Sequence, residues 1–321
     1  MTLAALAPGK VNLCLFLGPT RADGLHELVS LIEPLSLADE LTLEELPGAA
    51  MVAAAPGVGD AGCAAGEDEV VCAGVEGPNL AAEALAAYRA ASGWDGPPQR
   101  LRIVKRLPVA AGMGGGSGDA AAALRLAAYA AGRPADPLLA HLAPRLGADV
   151  PSQLEPGLVL VGGAGAEVEP VPARAPHGVL VLPSAHALST ADVYREADRL
   201  GLPRLPAELA QRRAALQAAL AAGPQLPPAE LLVNDLEPAA RSLCPSIDAA
   251  LAAARTAGAA HALVSGSGPT VVGIFPGADG LAAARAAADA LRGAHPGASA
   301  AHPVAGEFAA VRAVRDNGDR S

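Results

Sequence analysis

Aromatic residues are scarce in this 321-residue chain, at 2% of the sequence, although 51% of its residues are hydrophobic. A chain of this length can form one large or two moderate domains, and its core must be built mainly from Ala, Val and Leu. Acidic residues outnumber basic residues by 33 to 23, which gives a net charge of −10. A general nucleic-acid binder needs a basic face, so we expect no nucleic-acid partner.

Cysteine and histidine form no metal-binding pattern. The cysteines, Cys14, Cys63, Cys72 and Cys244, show no CxxC spacing, and the seven histidines form no HxxxH or HExxH set. These spacings exclude the common zinc motifs and indicate reduced thiols in a cytoplasmic protein. The opening stretch MTLAALAPGK lacks a basic segment followed by a long apolar run, and no apolar run elsewhere reaches about 18 residues. We therefore expect neither a signal peptide nor a membrane partner.

Lysine is the rarest charged residue. Of the 23 basic residues, only Lys10 and Lys105 are lysines. The lysine ammonium is a compact point charge, whereas the arginine guanidinium is a planar fork, so a chain that prefers Arg would keep Lys where the chemistry demands it. Two ordinary surface lysines would explain the same count, and the composition leaves both readings open.

Hydrophobic periodicity predicts a mixture of strands and helices. In the first half we expect strands at 10–19, 40–46 and 99–107, helices at 78–93, 117–131 and 136–147, a turn at 21–28, and a surface insertion at 47–78 with a short strand near 70–72. In the second half we expect strands at 157–165, 167–172, 177–183 and 300–306, a strand–turn–strand at 261–275, and helices at 189–201, within 202–230, at 234–258 and at 278–294. Mixing without regular βαβ alternation is typical of the α+β class.

The stretch PVAAGMGGGSGDAAA, residues 108–122, places many glycines directly before a predicted helix. Such a loop exposes backbone N–H groups at the positive end of the helix dipole, which is a binding site for phosphate. The loop lacks the lysine of a Walker A motif and the third glycine and ribose-binding acid of a dinucleotide motif. Asp119 would cap the helix or reach a metal. A merely flexible glycine hinge is the alternative.

This loop resembles the phosphate loop of the GHMP kinases, and three further stretches resemble motifs of that family. They are APGKVNLCLFL at 7–17, GADVPSQL at 147–154 and VSGSGPTVVGIF at 264–275. The resemblance implies a two-domain α+β fold, with an N-terminal ribosomal-protein-S5-like domain and a C-terminal ferredoxin-like α/β sandwich. We expect the N-terminal GHMP kinase domain with the ATP loop at 1–158, the C-terminal domain at 159–312, and a disordered tail at 313–321.

The resemblance also implies ATP and Mg²⁺ as cofactors. The expected ATP-binding residues are Pro108, Val109, Ala110, Ala111, Gly112, Met113, Gly114, Gly115, Gly116, Ser117 and Gly118, and Ser117 is the candidate Mg²⁺ ligand. Asp149 matches the catalytic aspartate of the family, a general base for an alcohol acceptor, and Lys10 matches the active-site lysine. From the residues alone, Asp149 could equally cap a helix and Lys10 could end a surface strand.

The strings RADGLHEL at 21–28, LSTADVY at 188–194 and NDLE at 234–237 resemble one branch of the GHMP kinases. That branch phosphorylates the 2-hydroxyl of a small cytidine diphosphate derivative of a branched tetritol, in the non-mevalonate route to isoprenoids. By the same resemblance, Asn12, His26, Thr190 and Tyr194 would bind substrate, with Tyr194 stacked on cytosine. Leu25 departs from the branch, which usually has Tyr there.

Two other functions remain open from the sequence. The chain resembles a GHMP kinase whatever its acceptor, and homoserine or a mevalonate relative would be an alternative substrate. A catalytically silent nucleotide-binding protein is the alternative from another class, because a fold does not fix a function. The presence of both Lys10 and Asp149 argues against it. Either a monomer or a homodimer is compatible with the sequence.

Overall fold

The computed structural model describes residues 1–46, 67–75, 77–108 and 111–314. Most of the expected insertion, including Cys63, therefore lies outside the described residues. Two mixed α/β layers form the molecule, each built on its own β-sheet. No helix in the described parts of the chain is both long and apolar enough to cross a membrane.

The first sheet is dominated by two long antiparallel strands, β1 (Thr2–Thr20) and β2 (His26–Glu45). The remaining strands of this sheet are β3 (Glu69–Cys72), β4 (Gln99–Val104), β5 (Val159–Gly162), β6 (Glu167–Pro170) and β11 (Arg312–Val314). Only part of β2 was expected, because its middle is buried on both faces and shows no alternation of apolar and polar residues. The short strand expected near residues 70–72 is present as β3.

Four helices cover one face of this sheet: α1 (Leu80–Ser92), α2 (Gly115–Ala130), α3 (Leu138–Leu146) and α4 (Val150–Leu154). Ten residues of α2 are buried, and most of them are alanines. Small side chains let a helix approach its neighbours closely, so α2 forms the centre of a core that contains few aromatic rings.

The second sheet runs in the order β10–β7–β9–β8, with every neighbouring pair antiparallel. Its strands are β7 (His177–Leu182), β8 (His261–Val264), β9 (Val271–Pro276) and β10 (Ser299–Ala301). Its helices are α5 (Thr190–Arg199), α6 (Pro206–Ala221), α7 (Glu237–Leu243), α8 (Ser246–Thr256) and α9 (Gly280–Leu291), and a 3₁₀ helix follows at Gly306–Ala309. This strand order is that of a ferredoxin-like sheet, and the expected α+β class is confirmed.

The expected domain boundary after residue 158 divides the first sheet. Strands β5 and β6 follow that boundary, yet β5 pairs with β2 and with β6. The chain passes from the first sheet to the second between Pro170 and His177, and the domain boundary itself stays a prediction. The disordered tail expected from residue 313 is wrong for Ala313 and Val314, which pair with β1. Residues 315–321 lie outside the described part.

A buried ion pair joins the two sheets. Glu33 of β2 accepts a hydrogen bond from Nε2 of His177 of β7 at 2.8 Å, and Nδ1 of the same ring contacts the carbonyl oxygen of Ala175 at 2.9 Å. Both side chains are buried, at 2% and 1% exposed. Because both ring nitrogens face oxygen acceptors, the geometry favours the doubly protonated imidazolium.

Candidate active site

The glycine loop places the bare N-terminus of α2 at a cavity. Gly114 precedes the helix with φ +66°, a left-handed conformation that glycine adopts without strain, and no side chain caps the helix. The first turn contains no acidic residue, so its N–H groups form an uncompensated positive end. This arrangement fits an anion such as a triphosphate. Val109 and Ala110 of the loop lie outside the described residues.

A second glycine turn, residues 265–268, packs against the glycine loop. A Cβ on Gly112 would lie 2.5 Å from the carbonyl oxygen of Ser265, so the two turns pack backbone against backbone. The Ser265 hydroxyl donates to the Gly112 carbonyl at 3.2 Å. Asn234, in the string NDLE, donates from Nδ2 to the carbonyls of Val264 and Gly266 at 2.8 and 2.7 Å. That string therefore positions the second turn.

An ion pair lies beside the helix terminus. Lys10 Nζ is 3.3 Å from Asp149 Oδ2 and donates to Asn12 Oδ1 at 2.8 Å. Asn12 in turn donates to the hydroxyl of Ser30 at 2.7 Å. The backbone N–H of Lys10 donates to the Met113 carbonyl at 2.9 Å, which joins β1 to the glycine loop. A buried ammonium is thus held next to a carboxylate that remains 37% exposed.

Asp149 does not act as a helix cap. It lies at the N-cap position of α4, yet its side chain makes no capping hydrogen bond and faces Lys10 instead. Helix α4 is held by Arg125 of α2, which donates to the carbonyls of Gln153 and Leu154 at 2.6 and 3.2 Å. Burial lowers the pKa of Arg125 to about 10. The sequence patterns assigned this arginine no role.

Ser117 and Asp119 have different roles because they point to different sides of α2. A Cβ on Gly147 would lie 3.9 Å from Ser117 Oγ, so this hydroxyl faces the segment that leads to Asp149. Asp119, two residues on, instead pairs with Lys105 at 2.8 Å. The expectation that Asp119 caps the helix is wrong, because no side chain caps α2. Asp119 does line the cavity, and its contact with a metal stays a prediction.

Lys105 bridges two buried carboxylates beneath the loop. Its ammonium pairs with Asp39 as well as with Asp119. The other oxygen of Asp39 accepts from the backbone N–H groups of Arg106 and Leu107 at 2.6 and 2.8 Å. Burial raises the pKa of Asp119 to about 7, against the attraction of Lys105. The rarity of lysine was the only sequence signal for this cluster.

At the other end of the cavity, His26 and Tyr194 lie together. Their ring centroids are 5.2 Å apart, and the ring planes are tilted by 45°. Burial raises the pKa of Tyr194 to about 12, and the charge of Asp149 contributes to the shift. Thr190 Oγ1 contacts the hydroxyl of Ser267 at 3.1 Å, which connects α5 to the second glycine turn.

One cavity of about 1000 Å³ brings these groups together. The expected site residues that line it are Lys10, Asn12, His26, Pro108, Ala111, Gly112, Met113, Gly114, Gly115, Gly116, Ser117, Asp149, Thr190 and Tyr194. Gly118 is the exception. It is buried, and a Cβ there would lie 3.2 Å from the Pro8 carbonyl, so it is a packing position, and its ATP contact stays a prediction.

Further residues, outside the set of expected site residues, line the same cavity. They include Cys72, Asn79, Lys105, Asp119 and Asp198. Asn79 also caps α1, since its Oδ1 accepts from the N–H of Ala81 at 2.9 Å. The three described cysteines, Cys14, Cys72 and Cys244, are free thiols.

Family models match two segments of the chain. The model for the GHMP kinases N terminal domain matches residues 79–157, and the model for the GHMP kinases C terminal domain matches residues 208–296. The chain belongs to the GHMP kinase family. The N-terminal match of this GHMP kinase includes the glycine loop and Asp149, and the C-terminal match includes the second glycine turn. Lys10, His26 and Tyr194 lie outside both segments and reach the cavity through the fold.

Curated relatives of this GHMP kinase have consistent names. A 4-diphosphocytidyl-2-C-methyl-D-erythritol kinase from Nocardioides sp. is 40% identical over 245 residues, covering 75% of this chain and 77% of the relative. A protein of the same name from Saccharopolyspora erythraea is 40% identical over 247 residues, covering 75% and 72%.

Solved structures share the fold. A crystal structure of 4-(cytidine 5'-diphospho)-2C-methyl-D-erythritol kinase is 34% identical with a TM-score of 0.70, covering 93% of this chain and 98% of that one. A homoserine kinase from Cytophaga hutchinsonii is 16% identical with a TM-score of 0.66, covering 97% of each chain. That second similarity concerns the fold alone.

Proposed function

We propose that this GHMP kinase transfers the γ-phosphate of ATP to the 2-hydroxyl of 4-diphosphocytidyl-2-C-methyl-D-erythritol. The observation that carries the proposal is the Lys10–Asp149 pair, 3.3 Å apart, in the cavity that the uncapped N-terminus of α2 also lines. A site of this kind can hold a phosphate donor next to a base for an alcohol. Phosphoryl transfer depends mainly on such positioning and on charge neutralisation.

In the proposed mechanism, Asp149 accepts the proton of the attacking hydroxyl. Lys10, held by Asn12, stabilises the oxygen as negative charge develops on it. The N–H groups of Gly115 and Gly116, in the first turn of α2, orient the phosphate oxygens.

Mg²⁺ fits this site as an ion shared with the nucleotide. Among the described residues, no group of three His, Cys, Asp or Glu side chains could hold a metal ion by itself. Kinase Mg²⁺ is commonly held by substrate phosphates with one or two protein ligands, so a dedicated cage is not required. Ser117, in the first turn of α2 and at the cavity wall, would be the side-chain ligand. When bound, the ion would neutralise phosphate charge.

The names of the relatives support the cytidine diphosphate acceptor, and so does the His26–Tyr194 end of the cavity. An aromatic ring that lines a cavity can stack on a base, a contact worth about 1–3 kcal/mol. Leu25 also lines the cavity, where the branch usually has Tyr, and it is 54% exposed. Cytosine would therefore stack on one ring rather than between two.

The deciding experiment measures ATP consumption by the purified protein. The acceptors are 4-diphosphocytidyl-2-C-methyl-D-erythritol, homoserine and mevalonate, each at matched concentration. Turnover with the cytidine compound alone supports the proposal and shows that Leu25 is tolerated. Turnover with homoserine or mevalonate alone would keep the kinase chemistry and refute the assignments of His26 and Tyr194.

Asp149→Asn tests the base. The amide keeps the size of the side chain but cannot accept the proton, so kcat should fall by roughly 10²–10⁴ while ATP still binds. ATP affinity measured by calorimetry separates loss of chemistry from loss of folding. Asp289→Asn, an exposed carboxylate on α9, is the matched control. Turnover by Asp149→Asn at the wild-type rate would remove Asp149 from the mechanism.

A further inference from the structure

Five residues of helix α5 line the cavity; three of them lie at four-residue intervals, and the other two are Ala191 and Arg195. Thr190, Tyr194 and Asp198 all line it, and this spacing places them on one face of the helix. The first two were expected from the sequence, whereas Asp198 was not. Its spacing of four residues from Tyr194 and eight from Thr190 was the sequence feature that could have indicated Asp198.

Asp198 binds the ring of His26. The distance from Asp198 Oδ1 to His26 Nε2 is 2.8 Å, and the hydroxyl of Thr20 lies 3.3 Å from the same nitrogen. The His26 side chain is buried, at 5% exposed. Among the described residues, Nδ1 of His26 has no hydrogen-bond partner, so it is the ring nitrogen left for a ligand.

The position of Asp198 is unfavourable for the helix itself. It is the penultimate residue of α5, where the helix dipole disfavours negative charge. The nearby arginines do not compensate it, because Arg199 pairs with Glu196 and Arg195 pairs with Asp192. Within the described part of the chain, the side-chain hydrogen-bond partner of Asp198 is His26. The carboxylate therefore acts through the histidine.

We infer that Asp198 is a specificity-determining positioning residue that makes the site select cytosine over uracil. A carboxylate only accepts hydrogen bonds, so it fixes the proton of a neutral His26 on Nε2 and leaves Nδ1 as an acceptor. Cytosine offers an exocyclic amine donor, whereas uracil offers a carbonyl acceptor at the same ring position. The inference rests on the proposed function and deepens it.

The first test measures binding of CDP and UDP by calorimetry. Wild type should prefer CDP, and Asp198→Ala should lose about tenfold of that preference, the value of one hydrogen bond. Asp198→Asn should retain most of it, because the amide oxygen still accepts from Nε2. Asp192→Ala, an exposed carboxylate on the same helix that does not line the cavity, is the matched control. ATP affinity should be equal in all four proteins.

The second test measures the tautomer of His26 directly. Nitrogen-15 NMR of the unliganded protein, with His26→Gln to assign the signal, should show the proton on Nε2 in wild type and a mixture of tautomers in Asp198→Ala. Unchanged tautomer and unchanged CDP preference in Asp198→Ala would overturn the inference, as would a wild type that binds UDP as well as CDP. CDP-selective binding without turnover would refute the proposed function alone and support this inference.

Discussion

Replacement of Gly112 by alanine tests how tightly the two glycine turns are joined. Gly112 has φ +72°, which costs a non-glycine residue roughly 1–2 kcal/mol. The added Cβ would also lie 2.5 Å from the carbonyl of Ser265 and 2.9 Å from that of Gly268. Both are backbone atoms, which cannot rotate away, and overpacking of this kind costs about 1–3 kcal/mol. The two effects together should lower the free energy of unfolding by about 2–5 kcal/mol.

The matched control is Gly201→Ala. Gly201 has φ +68°, and a Cβ there would meet nothing within 4 Å, so this variant carries the backbone strain without the clash. It should lose only about 1–2 kcal/mol. Urea denaturation measures the free energy of unfolding of both variants, provided that its slope against urea concentration is unchanged. The difference between the two stability losses is then the cost of the clash.

The clash should also weaken ATP binding. Relief of the contact separates residues 265–268 from the glycine loop, which displaces the N–H groups at the start of α2. Gly112→Ala should therefore raise KM for ATP, whereas Gly201→Ala should not. Equal stability losses in the two variants, with an unchanged KM for ATP, would refute the packing argument.

Three further predictions concern pH and substrate affinity. Burial lowers the pKa of His177, but the hydrogen bond and charge of Glu33 outweigh this effect and raise it above 6.5. Stability from this pair is full below pH 6.5 and declines as pH rises through the raised pKa, so His177→Gln should remove that decline in denaturation experiments. Folding raises the pKa of Asp119 from 3.8 to about 7, so ionisation of this carboxyl opposes folding. Asp119→Asn should therefore raise Tm more above pH 7 than below pH 3.8. Equal gains in Tm in the two pH ranges would contradict this prediction. Leu25→Tyr should lower KM for the cytidine substrate by about tenfold through base stacking, and an unchanged KM would place residue 25 outside the stack.

Local patterns predicted most of the elements but not their extent. The strand expected at 10–19 begins at Thr2, and the long β2 was expected only as a turn and a separate strand at 40–46. Alternation of apolar and polar residues identifies a strand with one solvent-exposed face, whereas a strand that is buried on both faces lacks this alternation. The boundary after residue 158 stays a prediction, and the pairing of β5 with β2 across it is a long-range contact that composition does not reveal.

By itself, the sequence determined where the glycine loop enters α2, the proposed phosphate-binding end of the site. A glycine-rich segment that enters a helix has the same chemistry wherever it lies, because its N–H groups and dipole are local properties. The tertiary structure decided everything that depends on distance. It brought Lys10 to Asp149, gave Lys105 two carboxylate partners, and set Asp198 against His26 across 172 positions of the chain. Charge interactions fall off with separation in space rather than in sequence, so only the folded chain assigns these partners.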